Sequence, residues 1–139
     1  MFWSEIPAPV ETSTLEVSGM QETIQSVVVL LNQQGLVSNR QIAPVRYALF
    51  ELLKNAIEAS SFADHPYTEV TVNGYEEGMF SIDVINNGIS FDDGIPLGGN
   101  GIGLNEVRNI ASKNGGFLFI DCPEEGYTRV RLFMENYTM

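Results

Sequence analysis

The sequence predicts an α/β fold of the two-layer α+β sandwich kind, with helices gathered on one face of a mixed, largely antiparallel sheet. Three observations point there. A length of 139 residues fits one domain. Apolar residues make up 44% and charged residues 18%, enough for a core and far too apolar for a disordered chain. The hydrophobic period also changes along the chain, from helical to alternating, back to helical and to alternating again.

Each element follows from that period. Residues 1–13, with Pro7 and Pro9, read as a loose arm, and 14–139 as a single domain. Thr14–Val17 reads as a short strand ending at Gly19. Ile24, Val27, Val28 and Leu31 recur at helical spacing, and Gly35 stops that helix. Pro44 suits the first turn of a second helix, which runs to about Ser60 and buries Val45, Leu49, Leu52, Leu53 and Ala56. Thr68–Val72 and Phe80–Val84 alternate around a hairpin turn at residues 73–78. Residues 86–103 are turn-rich, with six glycines. A third helix carries Leu104, Val107, Ile110 and Ala111 on one side and ends at Gly115-Gly116. Two last strands, Phe117–Ile120 and Arg129–Met134, close the pattern.

Charge and composition exclude several classes of function. Seven basic residues stand against 18 acidic, a net charge of −11. Such a surface repels phosphate backbones and anionic lipids, so neither sequence-independent nucleic-acid binding nor membrane association is expected. The longest apolar run, Val27–Leu31, falls far short of the roughly 20 residues a membrane span needs. The N-terminus lacks a signal-peptide pattern, and Cys122 is the only cysteine. A cytoplasmic protein is the resulting expectation.

Three segments could carry chemistry. Glu51, Asn55 and Glu58 lie four and three residues apart, on one side of the second helix. A carboxylate there can accept a proton, and an amide oxygen suits Mg²⁺. The same stripe also reads as a solvated face, with Lys54 bridging to an acid. Asn86-Asn87-Gly88 ends an apolar strand, where amides could read a ligand edge or simply form a turn. Gly98-Gly99-Asn100-Gly101-Ile102-Gly103-Leu104 runs into a helix. Its backbone and the helix N-terminus could receive a phosphate. The glycine spacing and its late position match neither a Rossmann nor a Walker motif. His65 lies in a polar connection and reads as surface.

In this order, the segments resemble the ATP-binding domain shared by gyrase B, the MutL ATPases, sensor histidine kinases and the anti-sigma serine kinases, the GHKL superfamily with its Bergerat-type fold. Glu51–Ala59 resembles the N box, Val84–Gly88 the first glycine box and Gly99–Leu104 the second. Gly126–Leu132 resembles the closing strand. The resemblance implies ATP held between the helices beneath a lid, with Mg²⁺ ligated by Asn55. It implies that Glu51 polarises an attacking water or hydroxyl, and that Gly99, Gly101 and Gly103 let the loop wrap the phosphates. Thr128 and the Asn86–Gly88 box would hold the adenine, with Glu58, Ile102 and Leu104 also lining the nucleotide site.

Three departures from the family pattern stand out. Asn86 replaces an aspartate that accepts from the adenine amino group, and a charged hydrogen bond is the stronger kind. The lid at residues 89–98 is short and has no Lys or Arg, while Asp92 and Asp93 would repel a γ-phosphate. Tyr127 stands where glycine is usual. In plan the chain is closest to the anti-sigma serine kinases, and its lid and Asn-Asn-Gly box resemble some histidine kinases. Either branch implies bacterial signal transduction through a protein partner of the response-regulator, anti-sigma antagonist or sigma-factor type. The alternative is a non-catalytic, nucleotide-dependent protein-binding module. The partner, the phosphoacceptor and the oligomeric state, a homodimer included, stay open.

Overall fold

A computed structural model describes residues 6–88 and 102–136. The elements are β1 (Glu11–Glu16), α1 (Met20–Gln33), α2 (Asn39–Ser60), β2 (Thr68–Gly74), β3 (Met79–Asn87), α3 (Ile102–Lys113), β4 (Phe117–Asp121) and β5 (Tyr127–Glu135). The strands form one sheet in the order β1-β2-β3-β5-β4, and every pairing is antiparallel. β3 and β4 therefore run parallel to each other, with α3 crossing between them and β5 inserted into the gap.

Period-two alternation divides the sheet into two faces. Val70 and Val72, Phe80, Ile82 and Val84, and Val130, Leu132 and Met134 all point to one side, where they share a core with α1, α2 and α3. The apolar stripes read from the sequence supply the helical half: Val27, Leu31, Val45, Leu49, Leu53, Val107 and Ala111 are buried. α2 lies in the middle, touching α1 on one flank, α3 on the other and β3 below. No helix among the described residues is long and apolar enough to cross a membrane.

Two boundaries differ from the sequence reading. α2 starts at Asn39, so Pro44 is its sixth residue rather than part of its start. The cause is a capping box: Gln41 accepts from the Ser38 N–H at 3.0 Å, and that pair nucleates the helix before the proline arrives. Pro44 then costs one backbone hydrogen bond near the helix end. β1 begins at Glu11, not residue 14, because it pairs with β2 along its whole length, from Glu11 opposite Gly74 to Glu16 opposite Glu69. The Thr12 hydroxyl reinforces that register by donating to Asn73 Oδ1 at 2.8 Å.

The face of the sheet away from the helices carries a polar network. Asp83, 3% exposed, accepts from Asn73 Nδ2 at 2.9 Å and from Arg131 Nε at 3.2 Å. Arg131 also donates to the Tyr75 hydroxyl at 3.2 Å and lies 4.8 Å from the Phe133 ring centre. Phe117 stacks on Phe133 from the edge strand, at 4.7 Å between centroids. Burial raises the Asp83 carboxyl above 3.8, and the opposing pull of Arg131 does not cancel it.

Two outcomes follow from these contacts. Gly88 has φ +103°, and a methyl group there would overlap the carbonyl of Ala59 at the end of α2. Gly88→Ala should lower stability by about 2 kcal/mol or more in urea melts. For Asp83 the folded state holds the proton more tightly than the unfolded chain. Its contribution is therefore complete at low pH and is lost as pH rises through the raised midpoint. The stability margin of wild type over Asp83→Asn should shrink as pH is raised from 3.8 toward neutrality. A constant or growing margin in a series of melts would overturn this.

Candidate nucleotide-binding site

The candidate residues lie along one line on the helix side of the sheet. Glu51 and Asn55 are half-buried on α2, one turn apart, and Glu58 is exposed further along. Glu51 and Glu58 make no ion pair with Lys54 among the described residues, so the bridging that a plain solvated face would show is not there. Asn55 makes no hydrogen bond to another described side chain. It thus presents a half-buried amide with free donor and acceptor capacity.

Glu51 points at the start of α3. Gly103 is the second residue of that helix, and the three atoms nearest to a Cβ built there all belong to the Glu51 side chain. The carboxylate thus fills the space that any other residue would need. Tyr47, one turn before Glu51, has its phenol raised above 10.0 chiefly by desolvation, and then by the charges of Glu51 and of Glu106 on α3. The α2–α3 flank therefore brings two carboxylates, Glu51 and Glu106, near Tyr47.

At the other end of the line stands a buried polar row. Thr68, Asn86 and Thr128 face one another across β2, β3 and β5, and are 6%, 2% and 1% exposed. They occupy helix-facing positions where the rest of each strand is apolar, and Thr68 Oγ1 reaches Ser60 at the end of α2 at 3.4 Å. Asn86 Nδ2 donates to the Asn87 carbonyl at 2.7 Å. That bond fixes the amide orientation and leaves Oδ1 as the outward group. From the sequence, Thr68 reads as the start of a strand but not as a candidate site residue. Its signal was the alternation that set it on the same face as Val70 and Val72.

Not every residue in the two glycine boxes faces this line. Asn87 is spent on the fold: it accepts from the Tyr67 N–H at 2.8 Å and donates to the His65 carbonyl at 2.7 Å, fastening β3 to the preceding connection. His65 itself is exposed, as its polar surroundings indicated. The Leu104 side chain belongs to the core. Ile102 opens α3. Gly99 and Gly101, like Asp92, Asp93 and the lid, lie outside the described residues.

From Glu51 to Ala59 the helix rises about 12 Å. The acidic α3 end and the buried polar row are thus two helical turns apart, with Asn55 between them. The first turn of α3 lies beside Glu51, and a helix N-terminus favours anions.

Among curated proteins none matches the chain. The family model for the histidine kinase-, DNA gyrase B- and HSP90-like ATPases matches residues 41–138, more than half of the chain, from the capping box of α2 through β5. With its five-stranded antiparallel sheet and three helices on one face, the chain belongs to the GHKL-type ATPase family as an ATP-binding domain.

Proposed function

We propose that the chain is an ATP-dependent kinase or ATPase module of bacterial signal transduction. It would act in the cytoplasm and phosphorylate or regulate a protein partner, as an anti-sigma serine kinase or a histidine kinase catalytic domain does. The observation that carries this reading is the pair on α2: a carboxylate at the start of α3, and an unengaged amide one turn away.

In this reading Asn86 Oδ1 accepts from the exocyclic amine of adenine, and Thr128 borders the base. The triphosphate runs along α2 toward α3, where helix N–H groups meet its charge. Asn55 fits Mg²⁺ through its amide oxygen. No cluster of three or more His, Cys, Asp or Glu among the described residues could cage a metal, so the other ligands would come from phosphate and water. When bound, Mg²⁺ neutralises phosphate charge. Glu51 orients the attacking water or hydroxyl and accepts its proton as the new P–O bond forms and the bond to ADP breaks.

One observation favours a second reading, a non-catalytic module whose nucleotide state governs a partner. From residue 55 to residue 107 the sequence has no Lys or Arg, and phosphoryl transfer depends on positive charge around the phosphates.

Thermal melts and turnover assays separate these readings. Mg²⁺-ATP at about a hundred times its Kd should stabilise the folded protein by about 2.7 kcal/mol, and Asn55→Ala should abolish the rise. Glu51→Gln should keep the rise and lose ATP turnover by about 10³-fold. A wild type that melts higher with ATP yet never turns it over, with or without a partner, would establish the second reading. No rise at all would overturn both.

The base can be tested separately. ITP carries a carbonyl where ATP carries its amine, which leaves the buried Asn86 oxygen facing another acceptor. That mismatch costs about 1–3 kcal/mol, so ITP should bind about tenfold or more weakly than ATP in a calorimetric titration. Equal affinities would remove Asn86 from the role of base reader.

A further inference from the structure

Gly103 is helical, with no positive φ to demand glycine. Flexible backbone approach to phosphate is the general reason for glycine in such a loop, but the space beside this residue is already taken. The atoms nearest to its absent Cβ are Glu51 Oε2, then Cδ, then Cγ at 3.5 Å. Beyond its chain neighbours and the backbone of its own helix, no atom of another residue is nearer. The Glu51 carboxylate has no ion-pair partner among the described residues that would otherwise hold it.

We propose that Gly103 is a positioning residue for Glu51: the missing side chain is the seat that holds the carboxylate against the first turn of α3. This inference rests on the reading of Glu51 as the proton acceptor. A larger residue at 103 would push the carboxylate off its rotamer and away from the line along α2. A misplacement of about 1 Å at a reacting group can cost on the order of 10²-fold in rate.

A stability cycle tests the seat itself, without reference to activity. Alanine is the better helix former, so Gly→Ala in a helix ordinarily raises stability. Here the overlap falls on the flexible end of Glu51, so Gly103→Ala should raise the Tm of the wild type by clearly less than it raises that of Glu51→Ala, a coupling that the carboxylate explains. Equal rises in both backgrounds would overturn the proposal.

The role is tested by steady-state kinetics with Mg²⁺-ATP. Gly103→Ala should lose kcat on the order of 10²-fold while KM stays within about twofold. Shortening the acid should relieve the overlap, so Gly103→Ala combined with Glu51→Asp should turn over faster than Gly103→Ala alone. A raised KM with unchanged kcat would instead make Gly103 a phosphate-contacting residue and overturn the proposal. If Glu51→Gln is inactive and Gly103→Ala is not, this proposal alone falls. If Glu51→Gln turns over ATP like the wild type, the proton-acceptor reading falls and takes this proposal with it.

Discussion

Helix α2 is held at both of its ends, and the site is laid out along the stretch between. At the first end Gln41, 3% exposed, uses both sides of its amide. Its oxygen caps Ser38, while its nitrogen donates to Asn114 Oδ1 at 3.0 Å and to the Glu135 carbonyl at 2.7 Å. One side chain thus ties the start of α2 to the end of α3 and the end of β5. At the other end Gly88 lets the last turn of α2 rest against β3, with Ala59 in contact. A helix fixed at two points cannot slide or roll, so Glu51 and Asn55 inherit their positions from contacts far from the ligand.

Charge is distributed with the same economy. Two of the seven basic residues, Arg129 and Arg131, lie on the sheet face away from the helices, each paired with an aspartate. They neutralise acids there, away from the helix side of the sheet. The Asp83–Arg131 pair is surrounded by Asn73, Tyr75 and Ser81, so its cost of burial is offset by hydrogen bonds rather than by Coulomb attraction alone. The other five basic residues lie on the helices, Arg40, Arg46 and Lys54 on α2 and Arg108 and Lys113 on α3.

Much of this was legible in the chain. Periodicity and turn residues placed the three helices and all five strands, β1 with a late start, because each buries one face, and burial on one face is what periodicity records. The boxes placed Glu51, Asn55, Asn86 and Thr128 on the elements where they are found. Pro44 misled, since the local preference of proline for a first turn was outweighed by the Ser38–Gln41 capping pair. The separate fates of Asn86 and Asn87 were not legible, because adjacent strand residues face opposite ways and only the pairing decides which way the ligand lies. Gln41 and the neighbour of Gly103 were hidden for a related reason. Their partners are 73 and 52 positions distant in sequence, and nothing local announces them.

The placement of β5 has a consequence for assembly. It is the last strand in the sequence, yet it sits inside the sheet, between β3 and β4, and carries Thr128. Until residues 127–135 have been synthesised, β4 has no neighbour and the row from Thr68 to Thr128 is incomplete. The sheet therefore closes through pairings between residues about 50 positions apart, as Ser81 with Phe133, a non-local step that is slow relative to helix formation. The buried polar row and the sheet are therefore completed together, by the docking of β5. A chain without residues 127–135 would carry Glu51 and Asn55 but lack the Thr128 end of that row.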